Sequence, residues 1–325
     1  LNNSINTSLL TTYSRHSEEI SYFLANKVKI LFAGELENSR GNLERCCHFE
    51  ELYVDRYGYL YPCCKTYLHK PIGHISDKNI VKKWRDYSPE KECVCSKGRL
   101  SGGIWNNNSQ GITTFELSSA CNANCSYCFQ NDENKGEPYR YYNVLSNFLN
   151  EANIKKVIFS GGEILVQKDA IAFIKKLREE VPDMWIHLKS NGFHSVNKIE
   201  VVNSIFDSVN ITLNGFSRAT CRTIMKADFS VIKSFCEALT EQRKVSLGLK
   251  YLCSPANVLE LSDFLKWCCD LEPDRVVVPT ARVYNARLGF YDEWNDSSFS
   301  GINMAFWNEL LSRIGTVLNS ISLKI

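Results

Sequence analysis

From residue 112 onward the apolar positions switch between two periods. The runs 113–117, 156–159, 185–189, 208–213, 245–252 and 275–278 read as strands. The runs between them, 141–152, 168–180, 196–205, 219–242 and 257–271, place apolar residues at helical spacing. Six β/α units at this rhythm predict an α/β fold with a parallel sheet, curled into a partial (β/α)6 TIM-like barrel. Chemistry in such barrels gathers at the C-terminal ends of the strands.

The first third of the chain has another pattern. Residues 1–45 begin polar and predict only a helix running into a short strand over 17–33. Over 46–100, Leu52 and Val54 face Tyr59 and Tyr61 across a turn at Arg56-Tyr57-Gly58, which predicts a hairpin. Trp84 and Ile80 belong to a short helix beneath it. Residues 101–111 are rich in Gly, Ser and Asn and read as a linker into the main domain, 112–289. In 290–325, a polar aromatic loop at 290–299 precedes a helix over 302–318 that closes the open side of the barrel.

Charge narrows the functional classes. Lys and Arg exceed Asp and Glu by two, and charged residues make up 23% of the 325, so no nucleic-acid-binding field is expected. No apolar run is long enough for a membrane span, and no basic start with an apolar core marks a signal peptide.

The chain has 14 cysteines, nine of them in tight groups at 46/47, 63/64, 93/95 and 121/125/128. Such grouping suits metal clusters better than disulfides and points to a reducing cytoplasm. The run ELSSACNANCSYCF at 116–129 places Cys121, Cys125 and Cys128 in a C-x3-C-x2-C spacing on a loop leaving the first strand. Three thiolates can hold three irons of one 4Fe–4S cube and leave the fourth open to a small molecule. The alternatives are a zinc site, which usually wants four protein ligands in C-x2-C pairs or with histidine, none of the latter lying nearby, or buried thiols.

CNANCSYCF, with Tyr127 and Phe129 in the motif, resembles the signature of the radical S-adenosylmethionine (SAM) enzymes, and the resemblance covers roughly 112–289. It implies that the open iron binds SAM, and that one electron cleaves SAM to methionine and a 5′-deoxyadenosyl radical, which takes a hydrogen atom from substrate. It also implies an electron donor such as flavodoxin or ferredoxin.

Further motifs recur in the family's order. Ser160-Gly161-Gly162-Glu163 ends the second strand and resembles the motif that contacts the SAM amino group. Ser190-Asn191-Gly192 ends the third strand, where related enzymes bond a ribose hydroxyl, or it is a simple turn. Asn214 ends the fourth strand, where relatives often have Asp; the resemblance implies that it faces SAM or substrate, and the alternative is again a simple turn. Lys250, in the fifth, faces inward or is solvated. Arg282 suits a carboxylate anchor or a structural ion pair. Cys221 follows the fourth strand. It is read either as a hydrogen-atom donor, as peptide epimerases of this superfamily use a cysteine, or as a buried small hydrophobe.

The N-terminal segment resembles the SPASM or twitch auxiliary-cluster segment, here preceding the barrel instead of following it. The resemblance implies a second 4Fe–4S cluster on Cys46, Cys63, Cys93 and Cys95, with Cys47 and Cys64 as alternates; four thiolates suit zinc equally well. Because similar segments occur mostly in peptide-modifying enzymes, the expected substrate is a ribosomal peptide that is crosslinked, given a thioether or epimerised. The alternative is dehydrogenation or dehydration of an aminosugar or other small alcohol. A non-catalytic metal-binding adaptor is a third, more distant possibility.

Overall fold

The computed structural model of the chain describes residues 29–31, 51–62, 70–87, 112–126, 128, 139–252, 254, 256–278, 282–285 and 289–292. The six predicted strands form as β5 (Ile112–Glu116), β6 (Lys156–Ser160), β7 (Trp185–Ser190), β8 (Ser208–Leu213), β9 (Ser246–Tyr251) and β10 (Arg275–Val277). Four shorter strands precede them: β1 (Lys29–Leu31), β2 (Glu51–Val54), β3 (Tyr59–Tyr61) and β4 (Gly73–His74). All ten share one sheet in the order β1-β10-β9-β8-β7-β6-β5-β2-β3-β4.

Pairing is parallel from β1 through β2 and antiparallel in the β2–β3–β4 turn-back at the edge. The predicted hairpin therefore exists, and it extends the main sheet: Leu52 pairs with Thr113 and Val54 with Phe115. Gly58 turns it at φ +84°, a conformation glycine adopts without Cβ strain. The short helix beneath it is α1 (Ile80–Arg85).

The crossover helices are α2 (Tyr142–Ala152), α3 (Lys168–Glu180), α4 (Ile199–Ile205), α5 (Arg218–Ile224), α6 (Phe229–Gln242) and α7 (Leu261–Leu271). Their buried residues recur at helical spacing, as with Leu145, Phe148, Leu149 and Ala152 in α2. They pack on the apolar face of the sheet, where Phe115, Phe159, Leu188, Ile211 and Leu249 are buried. Each such side chain contributes about 1.5–3 kcal/mol on leaving water.

Two boundaries differ from the sequence pattern. The single helix predicted over 219–242 breaks into α5 and α6. Lys226 turns left-handed at φ +57°, and Asp228 restarts the helix by accepting a hydrogen bond from Ser230 N at 3.0 Å. The loop predicted from 290 overlaps a strand, because β11 (Arg282–Asn285) and β12 (Gly289–Asp292) form a separate antiparallel pair. The predicted closing helix at 302–318 and the start of the one at 17–33 lie outside the described residues. Among the described residues no helix is long and apolar enough to cross a membrane.

Candidate active site

The cysteine loop starts where β5 ends and is fixed by three neighbours. The first is the end of β6. Gly162 N donates to Ser118 O at 2.6 Å and Glu163 N to Ala120 O at 2.8 Å. Gly161 sits at φ +134°, and a Cβ there would strike Ser118 O. A Cβ on Gly162 would strike Ala120 O and Ser119 O. The two glycines thus make room for the chain's own cysteine loop.

The second neighbour is the C-terminus of α5, whose last carbonyls have no partner inside the helix. They accept from the loop: Asn124 N to Met225 O at 3.1 Å and Ser126 N to Ile224 O at 2.8 Å. The start of α5 is held in turn by Glu260, which accepts from Phe216 N at 2.7 Å and Thr220 Oγ1 at 2.5 Å.

The third is the end of β7. Asn191 Nδ2 donates to Cys121 Sγ at 3.5 Å and to Asn122 Oδ1 at 2.9 Å. Cys121 Sγ also accepts from Ala123 N at 3.4 Å.

Cys121 and Cys125 are half-buried and Cys128 is exposed. Burial, then the nearby Cys128 and Cys121 thiols, push the Cys125 thiol up to about 12. Burial raises Cys121 as well, against the Ala123 and Asn191 donors. Among the described residues, no three Cys, His, Asp or Glu converge on one ion. A cube takes each thiolate on a separate iron, and the sulfur-directed Asn191 amide suits a thiolate ligand.

Glu163 is fully buried. One carboxylate oxygen accepts from Asn191 N at 2.7 Å and Ser190 Oγ at 3.1 Å; the other accepts from Leu165 N at 3.3 Å. His194 Nε2 lies 3.2 Å from that second oxygen. The carboxylate expected to face an ammonium group of SAM therefore joins the ends of β6 and β7, and through Asn191 it sets the donor on Cys121. His194 is the member of this group that sequence reading missed, because nothing local in SNGFHS marks it.

Asn214 is buried, its carbonyl accepts from Asn257 Nδ2 at 2.9 Å, and its Oδ1 has no hydrogen-bond partner among the described residues. Cys221 is fully buried in α5, its thiol pointing at Met225 Sδ 3.9 Å away. Burial first, then the Asp228 and Glu260 carboxylates, push it up to about 11. Cys236 and Cys268 are core residues. Lys250 lies on β9 beside Thr212 of β8. Arg282 opens β11 opposite Asp292. Tyr127, Phe129, Cys46, Cys47, Cys63, Cys64, Cys93 and Cys95 lie outside the described residues.

Residues 115–253 match the family model described as "Radical SAM superfamily". Curated relatives include a GTP 3′,8-cyclase of Nautilia profundicola, 29% identical over 161 residues, which are 46% of this chain and 51% of that one. Another, of Aliarcobacter butzleri, is 29% identical over 160 residues, 45% of this chain and 49% of that one. The chain thus spans about half the length of the curated relatives it matches. Among solved structures, Streptococcus suis SuiB bound to S-adenosylmethionine superposes with a TM-score of 0.49 at 12% identity, covering 64% of this chain and 48% of that one.

Proposed function

With residues 115–253 matching the radical SAM superfamily model, we propose that this protein cleaves SAM reductively and uses the resulting radical to take a hydrogen atom from a substrate. Cys121, Cys125 and Cys128 would hold the cluster. A bound 4Fe–4S cluster supplies the electron that splits SAM. The seating of the cysteine loop supports this most directly. Two glycines, a helix end and the Asn191 amide place three thiols at the C-terminal edge of a parallel sheet, where barrel enzymes work.

The chain's own residues have three tasks in this proposal. The buried Glu163 fixes Ser190 and Asn191. Asn191 orients Cys121. The buried Asn214 Oδ1, without a hydrogen-bond partner among the described residues, would accept from a ligand donor. Cys221, as placed, supplies packing. An electron donor of the flavodoxin or ferredoxin kind and a reducing cytoplasm belong to the same proposal.

The SPASM-like segment is part of it too. The Gly58 hairpin, the Gly73-His74 strand and the Trp84 helix support that resemblance, and Pro62 leads directly to Cys63. A second cluster on Cys46, Cys63, Cys93 and Cys95, and with it a peptide substrate, rests on the sequence pattern.

The test is product analysis after anaerobic reconstitution, dithionite reduction and addition of SAM. Wild type is expected to release 5′-deoxyadenosine and Cys125→Ala none. Iron analysis should return about four irons per chain for one cluster or about eight for two. Equal nucleoside release from both proteins would sink the proposal.

A second prediction concerns Asn191. Its amide stabilises negative charge on Cys121 Sγ, and hydrogen bonds to cluster sulfurs set the potential. Asn191→Ala should make the cluster's midpoint potential more negative in a potentiometric EPR titration. An unchanged potential would mean that the amide only shapes the loop.

A further inference from the structure

Alternation gives the sheet a second face, opposite the helices, and along one hydrogen-bonding row that face is polar from end to end. Glu116 pairs with Ser160, Lys189 with Asn210, Asn210 with Gly248, and Gly248 with Arg275. Ser160 stands beside Lys189 because Phe159 pairs with Leu188 one residue earlier. Two residues further along the strands, Lys250 follows on β9 between Thr212 and Val277.

The charges along this row are segregated. Its carboxylate, Glu116, lies at the β5 end, where Tyr53 OH donates to it at 2.5 Å and Arg56 Nη1 lies 3.7 Å away. The cations Lys189, Lys250 and Arg275 stand on β7, β9 and β10.

Arg275 is built into this face. Its Nη2 reaches across β9 to donate to Asn210 Oδ1 at 2.8 Å. The crossing needs glycine at 248, because a Cβ there would strike Asn210 Oδ1 and come within 3.4 Å of Arg275 Nη2. The guanidinium is half-buried, and its buried Nε–H has no acceptor among the described residues. No carboxylate among the described residues lies within ion-pair distance of it. A partly buried guanidinium with no counter-ion among the described residues gains from a ligand that supplies one, and its fork is shaped for oxyanions.

We propose that the β7–β10 half of the concave face binds an anionic group of the substrate, a carboxylate or a phosphate, with Arg275 as its anchor. Lys189 and Lys250 add charge around that anchor. This rests on the proposed SAM chemistry only for where the substrate reacts; the binding itself requires no turnover.

The experiment is equilibrium binding by calorimetry to the reconstituted protein, with inorganic pyrophosphate as one probe and citrate as the other. At least one should bind wild type, and the stronger binder identifies phosphate or carboxylate as the natural group. Arg275→Gln should weaken it about tenfold or more, the loss of a charge-assisted pair. Arg275→Lys should recover part of the affinity, which a merely misfolded protein would not. Lys176→Gln, an exposed charge on α3, should bind as wild type. Binding of neither probe to wild type, or equal affinities in wild type and Arg275→Gln, overturns the proposal. So does a neutral, amidated peptide that raises 5′-deoxyadenosine release equally in both proteins, and that outcome favours a peptide substrate. If wild type binds an anion through Arg275 yet releases no 5′-deoxyadenosine with SAM, the radical chemistry fails and the anion site stands.

Discussion

Gly162→Ala is expected to cut 5′-deoxyadenosine formation about a hundredfold, the scale on which a displacement near 1 Å at a reacting centre is felt. A methyl group at 162 has nowhere to go, because Ala120 O and Ser119 O occupy its position and both are backbone atoms. Relief requires residues 118–120 to move as a unit. That movement stretches the 2.6 Å bond from Gly162 N to Ser118 O and the 2.8 Å bond from Glu163 N to Ala120 O, and it carries Cys121 away from Asn191. Overpacking of this kind costs about 1–3 kcal/mol, so the domain should still fold. Iron per chain after reconstitution, the 5′-deoxyadenosine rate and the circular-dichroism melt separate the effects. Lost iron with a retained melt is the expected pattern. A variant that keeps its iron and its rate would show that the glycines do not seat the cysteine loop.

Much of this arrangement was legible in the chain, and the reasons are local. The strands β5–β10 are short apolar or alternating runs between helical ones, so periodicity finds them. The three cysteines and Gly161-Gly162-Glu163 sit at strand ends, where barrel chemistry is expected. What stayed hidden depends on pairing between distant segments. Nothing in residues 51–54 says that β2 lies beside β5, or in 29–31 that β1 lies beside β10. The break between α5 and α6 turns on one left-handed residue, Lys226, which a helical pattern passes over. Glu163 was legible as a candidate functional carboxylate, while its partners Ser190, Asn191 and His194 come from 27 residues or more away in the chain. The polar row is the clearest case. Lys189, Asn210, Gly248 and Arg275 look unrelated until the strand register sets them side by side.

Stability should fall as pH drops below about 6.5, the usual histidine value, and His187 should carry much of that loss. The ring is buried, stacked 5.4 Å from Trp185, with Nδ1 2.7 Å from Ser208 Oγ. Burial first, then the charges of Lys189 and Arg275, hold its pKa down to about 3. In the unfolded chain the same imidazole protonates near 6.5. Above about 6.5 neither state is protonated, and His187 adds no slope. Between about 6.5 and 3 the unfolded state binds the proton and the folded state does not, so unfolding gains ground as pH falls, by at most about 1.4 kcal/mol per pH unit. His187→Gln keeps a polar atom for Ser208 and removes the titration. Urea melts at pH 7, 6 and 5 should show wild type losing stability faster than the variant by about that slope, with the curves parallel above pH 7. Carboxylates titrate in both proteins and cancel in the difference. Identical slopes in wild type and His187→Gln would mean that water or a moving carboxylate reaches the buried ring.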